Sequence, residues 1–114
     1  MLNQRKSKRR HIIYYLRVLD ANTGQLIGQL VDITTEGMKL ISENPTDPET
    51  FLQLRMLLPE EINQKTQICF EVESLWCKRD INPNFFSIGF KFVAILPEDV
   101  NIIKNLIYDF SFRD

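Results

Sequence analysis

Between His11 and Leu19, apolar and aromatic residues alternate, with Ile12, Tyr14, Leu16 and Val18 on one side and Ile13, Tyr15, Arg17 and Leu19 on the other. A two-residue period rich in β-forming side chains predicts a strand. Asn22-Thr23-Gly24 follows as a turn signal, and alternation then resumes. Leu26, Gly28, Leu30 and Asp32 face one way, and Gln25, Ile27, Gln29 and Val31 the other. The first two strands therefore read as a hairpin.

The stretch Asp32-Ile33-Thr34-Thr35-Glu36-Gly37 interrupts the alternation before a short strand from Met38 to Ser42. Pro45, Asp47 and Pro48 mark residues 43–50 as a loop. Leu52, Leu54, Met56 and Leu58 alternate again, and the polar stretch from Pro59 to Thr66 turns the chain. Ile68, Phe70, Val72, Ser74 and Trp76 form one face of a long strand. After Asn82-Pro83-Asn84, Phe86, Ile88, Phe90 and Phe92 return it. Then the period changes. Ile103, Leu106, Ile107 and Phe110 recur at helical spacing, behind Pro97, Glu98 and Asp99 at the positions where a helix N-terminus favours proline and acids.

Six short antiparallel strands and one C-terminal helix predict a mainly β protein, a six-stranded antiparallel β-barrel with the helix covering an open end or face. The division expected is a basic arm over residues 1–11 and a single barrel domain over 12–114. At 114 residues the chain is long enough for one core, and 44% hydrophobic with 25% charged residues is a soluble composition. No apolar run approaches the ~20 residues of a membrane span, and the first ten residues are too polar for a signal segment. A cytoplasmic protein is expected.

Charge changes the picture at the N-terminus. Arg5, Lys6, Lys8, Arg9 and Arg10 are five of the fourteen basic residues, leaving nine basic against fifteen acidic residues in the body, a balance of −6. A basic arm on an acidic body expects an anionic partner. Within it, Arg5 and Arg9 form Arg-x-x-x-Arg, and one position on, Lys6 and Arg10 form a lysine-containing version. Guanidinium pairs bidentately with phosphate or with O6 and N7 of guanine, and stacks on the base plane, whereas lysine gives up the fork. The second motif is Asp32-x-Thr34-x-x-Gly37. A carboxylate there can accept from the N1–H and N2–H₂ edge of guanine, and a hydroxyl beside it can bond base or phosphate. Gly37 reads as supplying a turn conformation closed to residues with a Cβ. Each motif alone has a plainer meaning: a solvated tail for the first, an Asx or Ser/Thr turn for the second.

Taken together, the two motifs resemble the signature of the PilZ family, Arg-x-x-x-Arg in an N-terminal segment followed by Asp/Asn-x-Ser-x-x-Gly after the first strand pair. The family's gap from second Arg to Asp/Asn is a little over twenty residues; here it is 23 from Arg9 or 22 from Arg10. Thr34 stands where the family usually has Ser and keeps the hydroxyl. The stretch Glu73 to Arg79, a turn, and Ile88-Gly89-Phe90-Lys91-Phe92 looks like the family's late hairpin. The resemblance implies a small β-barrel that binds cyclic di-GMP, often as an intercalated nucleotide dimer. Carried over, Arg5 and Arg9, with Arg10 as the alternative register, would wrap the ligand from the arm. Asp32 and Thr34 would contact guanine and phosphate from the barrel, and Gly37 would shape the turn. Folding of the arm over the ligand would then signal to a downstream protein of the motility, exopolysaccharide or pilus machinery. The alternative is a degenerate PilZ-fold interaction module that binds no nucleotide.

Other residues are read more plainly. Trp76 could stack on a purine, but its place in line with Ile68, Phe70 and Val72 favours core packing. Cys69 and Cys77 read as core or half-buried strand residues, and with His11 as the only histidine no metal site is expected. The pairs Glu60-Glu61 and Glu98-Asp99 sit at loop and helix-start positions. No nucleophile–base set and no glycine-rich phosphate loop can be identified, so neither catalysis nor a cofactor is expected. Nucleic-acid binding through the arm is disfavoured by the acidic body.

Overall fold

Inward-pointing apolar side chains on six strands enclose one core. The computed structural model describes residues 16–59 and 65–110. The arm with Arg5, Arg9, Arg10 and His11, the first half of the first predicted strand, and Glu60-Glu61 lie outside the described residues. The strands are β1 (Arg17–Asp20), β2 (Leu26–Ile33), β3 (Gly37–Ser42), β4 (Phe51–Leu57), β5 (Gln67–Arg79) and β6 (Phe86–Ala94), followed by helix α1 (Pro97–Phe110). They close into an antiparallel barrel in the order β1-β2-β3-β6-β5-β4.

Alternation explains the core. Val18, Leu30, Leu40, Leu54, Met56, Val72 and Ile88 are wholly inaccessible, and each belongs to the inward set of its strand. Phe70 and Phe92 meet edge to face with ring centroids 5.0 Å apart. The same alternation turns Cys69 outward between buried Ile68 and Phe70, so it is exposed rather than buried, whereas Cys77 is half-buried against the core. From α1, Ile102, Ile103 and Leu106 join the core. Its first turn carries Glu98 and Asp99, where the helix dipole favours negative charge. Asp99 is nearly buried and accepts a 2.8 Å hydrogen bond from Lys65 Nζ, which ties the helix start to the β4–β5 connection. That bond is the main cause of a Lys65 pKa above its ordinary 10.5.

Antiparallel succession brings four features to one end of the barrel: the start of β1, the β2–β3 turn, the β4–β5 connection and the end of β6 that leads to α1. Leu16 lies at this end, where its carbonyl accepts from Leu30 N at 2.8 Å.

Of the register shifts in the barrel, two decide which residues reach its outer surface on β2 and β5. In β2 the register with β3 passes from Leu30↔Leu40 to Asp32↔Lys39, so Val31 is an extra residue. In β5 the register with β6 passes from Ser74↔Phe90 to Trp76↔Gly89, so Leu75 is extra. A bulge reverses the facing of everything beyond it. Asp32 therefore does not share a face with Leu30 as the period-two reading has it; Ile33 takes the inward place. Trp76 likewise leaves the face of Ile68, Phe70 and Val72.

Candidate functional site

The two bulges face one cleft. Beyond them, Asp32, Lys39, Gly89 and Trp76 are successive cross-strand partners on β2, β3, β6 and β5. They form a single row across the barrel's outer surface. One step along the strands, Gly37, Lys91 and Glu73 form the next row. A cleft of about 450 Å³ lies over both and is lined by Asp32, Thr34, Gly37, Lys39, Trp76, Gly89 and Lys91 among others.

The β2–β3 side is a turn closed on itself. Thr34 N donates to Gly37 O at 2.9 Å, while Thr34 Oγ1 accepts from Glu36 N at 3.1 Å and Gly37 N at 3.2 Å. The hydroxyl oxygen thus organises the turn, and its proton, with Gly37 O only at 3.5 Å, can be offered to an acceptor in the cleft. Asp32 Oδ1 accepts from Ile33 N at 2.9 Å, leaving Oδ2 without a partner among the described residues. The turn is fastened to the barrel by Phe92 N donating to Glu36 O at 2.9 Å.

Gly37 is required here for a reason other than the one read from sequence. Among the described residues only Gly24 and Glu49 have positive φ, so Gly37 adopts no conformation forbidden to other residues. A Cβ on Gly37 would instead collide with the Phe90 carbonyl oxygen on the neighbouring strand. The glycine permits close approach of β3 to β6.

The β5 side is a platform. Trp76 is 37% exposed, and the expectation that it packs in the core is overturned by the Leu75 bulge. Its indole lies across Gly89, where any added Cβ would fall onto the ring atoms Cε2 and Nε1. Lys78 Nζ sits 5.3 Å from the ring centroid, within cation–π range. A flat aromatic face at a cleft wall is suited to stacking a heterocycle. Lys39 and Lys91 stand diagonally about the two glycines. Lys91 reaches Glu73 at 3.7 Å, a loose surface pair that leaves it able to meet a phosphate.

Of the residues expected to bind, Asp32, Thr34 and Gly37 come together in this cleft, and Arg5, Arg9 and Arg10 lie outside the described residues. Trp76, Lys39, Gly89 and Lys91 were not expected in it. One signal was available: a glycine inside an alternating strand marks close approach, and Gly89 has the tryptophan as its cross-strand neighbour. Among the described residues no cluster of His, Cys, Asp or Glu could hold a metal ion, and no helix is long and apolar enough to cross a membrane.

Comparison with known proteins agrees with this architecture. The family model for the PilZ domain matches residues 3–109. No curated protein sequence matches the chain. Among solved structures, the chain is similar to the inhibitor of motility of Bacillus subtilis (MotI/DgrA), with a TM-score of 0.66 and 18% sequence identity, over 84% of this chain and 45% of that one. The chain thus spans under half the length of that neighbour, and at this identity the likeness is one of fold.

Proposed function

The chain belongs to the PilZ domain family, and from that premise we propose that it is a cyclic di-GMP receptor whose N-terminal arm closes on the ligand and signals to a partner protein. PilZ domains are binding modules rather than enzymes. The observation that carries the reading is the row Asp32–Lys39–Gly89–Trp76. Three inter-strand steps of ~4.8 Å separate the backbones at its ends by on the order of 14 Å, and the indole, lying over Gly89, closes about one of those steps. A carboxylate suited to a guanine edge and an indole suited to stacking thus stand at opposite ends of one row, with Lys39 between them to meet phosphate. Cyclic di-GMP matches that row, with guanine edges for Asp32 Oδ2 and phosphate oxygens for Thr34 and the lysines.

The course of the chain supports a role for the arm. Leu16 meets Leu30 at the end of the barrel that carries Asp32 and Thr34. Seven extended residues from Arg9 to Leu16 reach up to about 23 Å, and eleven from Arg5 reach up to about 36 Å. Both distances exceed the width of the row, so the two guanidinium groups have the length to close over a ligand in the cleft. Ordering of such an arm would create a new surface for a partner, in the motility, exopolysaccharide or pilus machinery. The fold neighbour's description as an inhibitor of motility favours the first of these.

Calorimetric titration of the purified protein with cyclic di-GMP, beside GTP and cyclic GMP, tests the reading. Saturable heat with cyclic di-GMP alone is expected. No heat at micromolar protein would overturn it in favour of a PilZ-fold interaction module that binds no nucleotide.

A further inference from the structure

Ser74 is wholly buried at the point where β5 leaves its register. Its hydroxyl donates to Asp47 O at 2.6 Å and accepts from Thr50 N at 2.9 Å. Its backbone N–H donates to Thr50 O at 2.9 Å, and its carbonyl accepts from Glu49 N at 2.7 Å. One residue thus satisfies the backbone of the Asp47–Thr50 loop and holds Glu49 at φ 63°, a conformation that non-glycine residues rarely adopt. The next residue, Leu75, is the extra one, 48% exposed at the cleft wall, and the ladder resumes at Trp76.

We propose that the Asp47–Thr50 loop is a ligand-responsive segment, coupled through Ser74 to the Trp76 platform. The coupling is one of register. Trp76 faces the cleft only because the bulge falls between Ser74 and Trp76. The bulge falls there because Ser74 is bonded on its inner side to the loop and cannot slide outward without leaving buried donors and acceptors unpaired. A ligand that stacks on Trp76 binds this register alone and therefore stabilises it. Whatever stabilises the register stabilises the loop, and loss of the loop's bonds weakens the ligand by the same factor. The loop does not line the cleft, so an effect on it is transmitted, not direct. The inference rests on the cyclic di-GMP reading.

Amide hydrogen exchange of the unmodified protein, with and without saturating cyclic di-GMP, gives the first measurement. Exchange at Glu49, Thr50 and Ser74 is expected to slow by roughly tenfold on binding, as for a segment whose local opening is suppressed. The second is calorimetry on Ser74→Ala, expected to bind roughly tenfold more weakly, the scale of one buried hydrogen bond, with Trp76 emission altered in the free protein. Ile68→Val removes a methyl from the same strand's buried face away from the bulge, and it should lower the melting temperature while leaving affinity unchanged. If Ser74→Ala does not fold, the exchange measurement decides. Binding by the unmodified protein without slowed exchange at Glu49 and Thr50, or full-affinity binding by Ser74→Ala, overturns the coupling and leaves the receptor reading standing. Absence of binding by the unmodified protein removes the receptor reading and the coupling with it.

Discussion

On the β2–β3 side of the cleft, the hydrogen bonds that shape Asp32 to Gly37 join residues one to three positions apart. On the β5 side, the serine that sets the facing of Trp76 is bonded to residues 24 and 27 positions away. Both sides depend on a bulge, yet one is a local turn and the other a long-range arrangement. A local turn is nearly self-sufficient, because Thr34 satisfies the backbone donors that the turn exposes. The platform exists only when the β3–β4 loop, β5 and β6 have all docked. The difference teaches that half of this site is a motif and half is a consequence of closure.

The comparison can be broken most forcefully at Gly37. Gly37→Ala places a Cβ against the Phe90 carbonyl oxygen, a backbone atom that cannot step aside. A loss of about 3 kcal/mol is expected, the upper end for overpacking, read from urea or thermal unfolding. Unaltered stability would show that β3 and β6 do not approach as closely as the register requires.

Next in size are the ligand contacts on the motif side. Arg9→Ala and Asp32→Ala should each weaken cyclic di-GMP binding by ~1–3 kcal/mol, roughly fivefold to 150-fold, with folding stability little changed. Full calorimetric affinity in both variants would remove the arm and the turn from the site.

The platform glycine should respond more gently. Gly89→Ala meets only the indole of Trp76, a side chain that can swing away. A stability change under about 1.5 kcal/mol is expected. The emission of Trp76, the only tryptophan, should nevertheless shift as the ring lifts from the strand. A larger cost than that of Gly37→Ala would reverse the assignment of which glycine faces rigid neighbours.

The smallest effect lies beyond the platform, at the β5–β6 turn. Ser87 Oγ donates to Asp80 Oδ1 at 2.9 Å, and this bond, with backbone N–H groups of Asn82 and Ile81 and the charge of Lys39, holds the Asp80 carboxyl below its ordinary 3.8. A depressed folded pKa gives stability that is present above pH 3.8 and is lost as pH falls through the lower folded value. Asp80→Asn should therefore narrow its stability gap from the unmodified protein on acidification below pH 3.8. A gap constant down to pH 2 would show that the carboxylate contributes nothing.

Much of the fold was legible along the chain because alternation and helical spacing are local signals. The strands from Leu26 to Ile33 and from Phe86 to Ala94, and the helix with Pro97 and its acids, fall where those periods place them. Asp32, Thr34 and Gly37 were legible as a group because a turn must draw its donors and acceptors from its own few residues. Three features were not. Periodicity put Trp76 in the core and kept Asp32 on the face of Leu30, and turn chemistry gave Gly37 a conformation closed to residues with a Cβ. A single extra residue at Leu75 or Val31 leaves the composition of a strand unchanged while reversing its facing. Which residue becomes the extra one is set by partners far off in sequence, Ser74's in the Asp47–Thr50 loop and Leu30's on β3.

The chain by itself determined the kinds and order of the elements, because side-chain periodicity and turn chemistry act over a few residues. It also placed a carboxylate, a hydroxyl and a glycine in one turn. Only the tertiary structure decided that β3 lies against β6, that a tryptophan three strands round from Asp32 ends the same row, and that glycines floor it. Those outcomes depend on closing the barrel, where register is chosen jointly by every strand and by the burial of a serine that no local pattern distinguishes.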